Sequence, residues 1–179
     1  LEIENSYKQR TLHLAAANNA LEVARLLIER GAEVDPRETQ WNATPIGWAS
    51  HGDHTEMIDF LSKYSRNVWT LGFRAYVDRL REVLDAEPER AKAVTDEGVT
   101  PLWWLPDDEE TALQIVNLYL ASGADPNSKN RSGSTAAEWA RKRGMLNVVA
   151  RLESAMVPTT AKRTAVEPQL QRYEELAGD

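Results

Sequence analysis

The chain has 179 residues, of which 42% are apolar and 27% charged, a composition that suits one folded unit and excludes wholesale disorder. Its formal charge of -7 argues against a general binder of nucleic acids or anionic membranes. The absence of cysteine excludes disulfide scaffolds, thiolate metal sites and cysteine nucleophiles. No apolar run approaches the roughly 20 residues that span a bilayer. We therefore expect a cytoplasmic protein, and the first residue, Leu1, suggests a fragment of a longer chain.

A two-helix pattern begins near the N-terminus and recurs along the chain. In the first copy, Val23, Leu26 and Leu27 form the apolar face of a helix that Gly31 ends with a left-handed cap. The equivalent second-helix positions are Leu27, Leu61, Leu84, Tyr119 and Leu152, in steps of 34, 23, 35 and 33 residues. Neither helix of a pair can bury its apolar face alone, so the copies are expected to stack.

Three short motifs give the pattern its family likeness. Thr44-Pro45-Ile46 and Thr100-Pro101-Leu102 open first helices, where a threonine hydroxyl can cap and proline suits the first helical position. Gly123-Ala124-Asp125-Pro126-Asn127 closes a second helix. Over about residues 10–155 the chain resembles the ankyrin repeat, whose period is about 33 residues. The resemblance implies a bacterial-type ankyrin repeat protein of about five repeats, folded as an all-α solenoid of stacked helix pairs with β-hairpin finger loops.

The resemblance also divides the chain into units. We expect an ankyrin repeat domain over residues 1–155 and a separate tail over residues 156–179. The predicted units are about 10–34, 43–66, 67–95, 99–127 and 134–155. The expected fingers are the polar connections Asp35–Ala43, Lys92–Val99 and Asp125–Ser134. The tail predicts a linker and a short amphipathic helix, which either caps the apolar end of the solenoid or begins a further domain.

The step of 23 residues is about ten residues short of the ankyrin period. The absent residues are those that would form the finger before the third unit. We therefore predict that the Lys63–Val68 connection contains no hairpin, which leaves a gap in the row of fingers. Simple repeat decay is the alternative explanation.

Residues 93–128 carry all of the net charge, because they hold seven acidic residues and no Lys or Arg. Pro106 is expected to cut the first helix of the fourth unit short. Asp107, Asp108 and Glu109 follow it, at the start of a helix whose positive end favours acids. Either these acids only cap the helix, or they belong to a surface that attracts a basic partner segment.

Tryptophans supply the candidate anchors of a partner. Trp103 and Trp104 are adjacent on a predicted helix, so one of them is expected to point away from the core. Trp41 lies near the tip of the first finger. Trp48 and Trp139 occupy leucine-like positions and are expected to be at least half-buried packing residues. Because tryptophan is a favoured interface anchor, the predicted partner-binding residues are Trp41, Trp103, Trp104, Asp107, Asp108 and Glu109.

Catalytic or metal chemistry finds little support. His51, His54 and Glu56 are close in sequence, and two imidazoles with a carboxylate can hold zinc. They lie on a turn between two helices, however, and a closing ligand is missing. His13 is expected, from the family resemblance, to make structural hydrogen bonds between units. Since phosphate loops and nucleophile elbows are absent, we expect no catalytic residue, metal or cofactor.

The predicted function is a non-catalytic protein–protein interaction module that binds a partner through its concave face and finger loops. A rigid stack presents many side chains at little ordering cost. The expected partner is a protein with a basic segment, neither nucleic acid nor membrane is expected to bind, and the chain is expected to be a monomer. The alternative is a regulatory or scaffolding domain of a larger enzyme whose catalytic part is absent.

Overall fold

The computed structural model describes residues 3–156, which form nine α-helices and two 3-10 helices. The α-helices are α1 (Thr11–Ala17), α2 (Leu21–Glu29), α3 (Pro45–His51), α4 (Thr55–Ser62), α5 (Val68–Phe73), α6 (Val77–Ala86), α7 (Glu109–Ala121), α8 (Ala136–Lys142) and α9 (Leu146–Met156). The 3-10 helices are Pro88–Lys92 and Pro101–Trp103.

Successive helices pack in pairs, and the pairs stack along the chain. The pairs are α1 with α2, α3 with α4, α5 with α6, the second 3-10 helix with α7, and α8 with α9. This confirms the predicted all-α solenoid of stacked helix pairs. In the fourth pair the first helix is a single 3-10 turn, Pro101–Trp103, as expected from Pro106. The predictions for the tail concern residues 156–179, of which 157–179 lie outside the described residues.

The caps at the helix ends differ in part from expectation. Gly31 has a φ of +80° directly after α2, which confirms the left-handed cap. The hydroxyls of Thr44 and Thr100, however, make no capping hydrogen bond, so that prediction is wrong. Thr44 Oγ1 instead accepts from the Asn67 side chain of the next pair at 2.6 Å, so the hydroxyl is used between pairs and not within its own helix.

The fingers are tight turn loops. Within residues 3–156 the only β-type pairings outside helices are isolated bridges, Glu4 with Arg10 and Lys129 with Thr135. The predicted β-hairpin ladders are therefore not formed in the described residues, since a single bridge is too short to make a ladder. Backbone hydrogen bonds instead join finger 35–43 to the N-terminal loop and finger 125–134 to finger 92–99. Thr39 N donates to Tyr7 O at 2.9 Å, and Arg131 N donates to Glu97 O at 2.9 Å.

The missing finger is confirmed. Only residues 63–67 separate α4 from α5, and they contain no bridge, whereas residues 30–44 separate α2 from α3. Fingers 35–43 and 92–99 therefore become neighbours across a gap. In the described part of the chain, no backbone hydrogen bond joins these two fingers.

The buried apolar side chains form two groups that divide at this same gap. One group comes from α1 to α4, and the other from α5 to α9 with their connections. Tyr76 packs against both groups. Leu84, one of the equivalent second-helix positions, is 2% exposed in the second group.

Polar contacts complete the junction between the two groups. The Asp35 carboxylate accepts from the Ser65 hydroxyl at 2.6 Å and from the Arg66 amide at 2.5 Å. The short 63–67 connection is thus fixed by the base of the preceding finger.

Candidate partner-binding groove

A slot opens where the finger is missing. Finger 35–43 and finger 92–99 form its two sides, and α3 and α5 form its floor. Its volume is about 490 Å³. Its aromatic lining consists of Trp41, Trp69, Phe73 and Trp104.

A second depression, of about 480 Å³, adjoins the slot and shares Phe73 and Trp104 with it. We call this depression the aromatic cleft, defined by the rings of Phe73, Trp103, Trp104 and Trp139. Asp107 and Arg143 also line it. The slot and the aromatic cleft together form one groove across the second to fifth helix pairs.

The aromatic rings of the groove hold one another in pairs. Phe73 and Trp104 meet edge to face with centroids 5.8 Å apart, and Trp103 stacks with Trp139 at 6.3 Å. Trp41 similarly meets Trp48 at 5.1 Å. Rigid aromatic side chains lose little conformational entropy when a partner binds, so these rings are suited to act as anchors.

Several of these rings remain open to solvent. The exposed fractions are 63% for Trp41, 50% for Trp104, 43% for Trp139 and 39% for Phe73. Trp103 is partly buried, so one residue of the 103–104 pair points outward, as predicted. Trp48 is partly buried and Trp139 is slightly more than half buried, as expected.

The structure brings only some of the predicted site residues together. Trp41 and Trp104 line the slot, whereas Trp103, Trp104 and Asp107 line the aromatic cleft. Sequence reasoning missed Phe73 and Trp69, which α5 presents to the groove because no finger precedes that helix.

Asp108 and Glu109 lie outside the groove and have structural partners. Asp108 caps α7, since its carboxylate accepts from the Thr111 hydroxyl at 2.6 Å and from the Thr111 amide at 2.8 Å. These hydrogen bonds lower the pKa of Asp108. Glu109 accepts from the Asn147 amide at 2.6 Å, at the start of α9. Both contacts favour the capping interpretation for these two acids.

The charges at the aromatic cleft are partly paired. Arg143 donates to Asp107 at 2.7 Å and to the carbonyls of Leu105 and Pro106 at 2.9 Å each. Asp96 and Glu97 are exposed on finger 92–99 and form no ion pair within residues 3–156.

A buried carboxylate positions Trp41. Glu38 is 1% exposed and accepts from the backbone amides of Gln40 at 2.6 Å, Trp41 at 2.9 Å and Ala43 at 3.0 Å. Burial alone would raise the pKa of Glu38, but these backbone hydrogen bonds outweigh it, and the pKa lies below its ordinary value. Glu38 therefore fixes the tip of the finger, a role that the sequence alone did not reveal.

His13 joins the first two helix pairs, as the family resemblance implied. Its Nδ1 accepts from the Arg10 amide at 3.1 Å, so its Nε2 carries the proton and donates to Ala43 O at 3.3 Å. Burial lowers the pKa of His13. His13 and Glu38 thus hold Ala43 from both sides.

The histidine pair shows no metal geometry. His54 Nε2 lies 3.0 Å from Ala17 O, and His51 lines the slot. Within residues 3–156, no three His, Asp or Glu side chains are grouped to hold a metal ion. Over the same residues, no helix is both long and apolar enough to cross a bilayer.

Comparison with known proteins identifies the repeats. Residues 12–61 match the family model described as ankyrin repeats. Residues 12–61, which span nearly all of α1 to α4, are therefore identified as ankyrin repeats. Ankyrin repeats generally act as protein–protein interaction modules and are typically non-catalytic.

The relatives found by sequence match only a short stretch of this chain. Palmitoyltransferase ZDHHC17 of Rattus norvegicus is 40% identical over 53 residues, which is 30% of this chain and 8% of that protein. The NF-kappa-B inhibitor cactus of Drosophila melanogaster is 34% identical over 61 residues, which is 34% of this chain and 12% of that protein. An ankyrin repeat domain from Acinetobacter baumannii, solved by crystallography, is 20% identical with a TM-score of 0.45, covering 80% of this chain and 96% of its own.

Proposed function

We propose that this chain is a non-catalytic recognition domain that binds a partner protein through the groove and the adjacent fingers. The observation that carries the proposal is the row of exposed aromatic rings along the groove. Trp41, Phe73, Trp104 and Trp139 are each more than a third exposed, yet ring pairing holds them in place. Preorganised aromatic anchors of this kind dominate the energy of protein interfaces.

The missing finger also favours the groove as the binding surface. It widens the space between finger 35–43 and finger 92–99, so a partner can reach the floor formed by α3 and α5. The relative named as an inhibitor of NF-kappa-B is consistent with a regulatory role through binding.

Photo-cross-linking in the native host tests the proposal. A benzophenone amino acid is placed at position 104 in the groove, or at position 23 on α2, where Val23 is 45% exposed. The proposal predicts that a discrete protein adduct forms from position 104 and that position 23 gives none. An adduct from position 23 alone, or from both positions equally, would contradict it.

A second candidate function is a regulatory or scaffolding domain within a larger enzyme. It is favoured by the palmitoyltransferase match, in which the shared stretch covers only 8% of the enzyme's length. Immunoblotting of the native polypeptide tests it. A mass well above the 20.1 kDa of this chain is expected if the candidate is correct, and a native mass of 20.1 kDa would exclude it.

We further propose that the domain is a cytoplasmic monomer. Size-exclusion chromatography with light scattering and fractionation of the native host test the two parts. A stable dimer, or recovery outside the cytoplasmic fraction, would contradict them.

A further inference from the structure

The aromatic cleft gathers four aromatic rings around a single depression. Trp103 and Trp139 stack at 6.3 Å with an interplanar angle of 30°, and Phe73 meets Trp104 at 5.8 Å. The face of an aromatic ring carries negative potential. Cations are attracted when they lie within about 6 Å of a ring centroid, and arginine is the commonest protein partner.

The chain already makes one such contact elsewhere. Arg25 Cζ lies 5.1 Å from the centroid of the Phe60 ring. A guanidinium of this protein thus lies within cation–π distance of an aromatic ring, here the largely buried ring of Phe60.

The surrounding charge favours a cationic occupant. Residues 93–128 contain seven acidic residues and no Lys or Arg, and the remainder of the chain is balanced. Within this stretch, Asp96 and Glu97 lie between Thr95, which lines the slot, and Val99, which lines the aromatic cleft. Because neither acid has an ion pair in the described residues, their charge remains available to attract a cation from outside.

The cation already in the lining does not fill this role. The guanidinium of Arg143 is bound to the carbonyls of Leu105 and Pro106 and to Asp107. Its charge is therefore balanced locally by Asp107, while the side chains of Trp104 and Trp139 in the aromatic cleft remain 50% and 43% exposed.

We propose that the aromatic cleft receives an arginine side chain from a basic segment of the partner protein. The inference rests on the proposed function and specifies the chemistry of the partner. Arginine fits better than lysine, because its planar guanidinium stacks on aromatic faces and is more weakly hydrated. The free acids of finger 92–99 attract the segment, and the rings retain the side chain.

Capped peptides test the proposal on the full chain. The probe carries arginines spaced by glycine and serine. The matched peptides replace every arginine with citrulline, which keeps the shape and loses the charge, or with lysine. Nuclear magnetic resonance of the indole N–H groups reports the site, and the shifts titrated against peptide concentration give the affinity.

The arginine peptide is expected to shift the indole signals of Trp103, Trp104 and Trp139, and to bind less tightly as salt rises. Trp104→Ala is expected to weaken binding roughly fivefold or more. Tyr64→Ala is the matched control, because the Tyr64 ring is 45% exposed but lines neither the slot nor the aromatic cleft, and it is expected to leave the affinity unchanged. Asp96→Asn combined with Glu97→Gln is expected to flatten the salt dependence.

The proposal is overturned if the arginine peptide does not bind, if the citrulline or lysine peptide binds equally well, or if Trp104→Ala leaves the affinity unchanged. Circular dichroism of each variant confirms that the fold persists. A cross-link from position 104 to a native partner, together with no preference for arginine, would overturn this inference and leave the proposed function standing. Loss of the cross-link would remove the proposed function itself.

Discussion

Asn67 donates a hydrogen bond from Nδ2 to Thr44 Oγ1 at 2.6 Å, across the junction where the finger is missing. The buried apolar side chains divide into two groups at this junction. The same Asn67 side chain also accepts from the Thr70 amide through Oδ1, so it starts α5 and ties that helix to the preceding pair. The Asn67 side chain therefore links the second and third helix pairs where the finger is missing.

Replacing Asn67 with serine tests the hydrogen bond between Asn67 and Thr44. Serine is an equally good N-cap residue but is too short to reach Thr44. Loss of one hydrogen bond is expected to lower the free energy of unfolding by about 1 kcal/mol. A double-mutant cycle with Thr44→Val, measured by chemical denaturation, should show a coupling energy of roughly 0.5–1.5 kcal/mol. Strictly additive losses would show that the contact contributes nothing.

Leu84→Ala tests the core of the third helix pair. Leu84 is 2% exposed, so truncation is expected to leave a cavity and to lower the free energy of unfolding by about 2–5 kcal/mol. Leu146→Ala is the matched control, because Leu146 is 67% exposed and should cost less than about 0.5 kcal/mol. Equal small losses in the two variants would contradict the assignment of Leu84 to the core.

Gly72 and Tyr119 should show strong coupling. A Cβ at Gly72 would overlap Tyr119 Oη, and that hydroxyl donates to Val68 O at 2.7 Å. Gly72→Ala is therefore expected to cost about 1–3 kcal/mol by overpacking. In a Tyr119→Phe background the hydroxyl is absent, so the same substitution should cost less. Thermal denaturation of the four proteins measures this, and an unchanged cost would refute the close approach.

Acid is expected to loosen the finger that carries Trp41. The pKa of Glu38 lies below its ordinary value in the folded state, so its contribution is present above that ordinary value and is lost as pH falls through the folded pKa. Burial also lowers the pKa of His13, so the unfolded chain binds that proton first as pH falls below about 6.5. Stability is therefore predicted to fall first near neutrality, through His13, and to fall again below the ordinary pKa of a glutamate, through Glu38.

Denaturation curves across this pH range separate the two contributions. Glu38→Gln should remove the loss at the acidic end, whereas His13→Gln should remove the loss nearer neutrality. Identical pH profiles in the two variants and the parent protein would show that neither group senses pH.

The repeat architecture could be predicted because it depends on local rules. The spacing of apolar residues predicted the second helices, and the 23-residue step from Leu61 to Leu84 predicted where the finger is missing. Pro106 correctly predicted the short first helix of the fourth pair, because proline blocks helix continuation regardless of tertiary context.

The groove could be predicted only in part. That one ring of the Trp103–Trp104 pair would be exposed followed from their adjacent positions, but which of them it is, and the participation of Phe73, depend on tertiary packing. The role of Glu38 was hidden because its partners are backbone amides, which carry no sequence signal. Asp108 and Glu109 were ambiguous for the opposite reason, since acids suit both a helix start and a basic partner.

If the exposed rings of the groove bind the partner protein, removing them should weaken the complex. Calorimetric titration with the partner identified by cross-linking measures this. Trp41→Ala combined with Trp104→Ala is compared with Val23→Ser combined with Leu26→Ser, two apolar α2 residues that are 45% and 44% exposed. The groove variant is expected to lose affinity roughly 30-fold or more, because hot-spot residues dominate binding energy. The α2 variant is expected to bind as tightly as the parent protein. If the groove variant binds as tightly as the parent protein, the exposed rings do not anchor the partner.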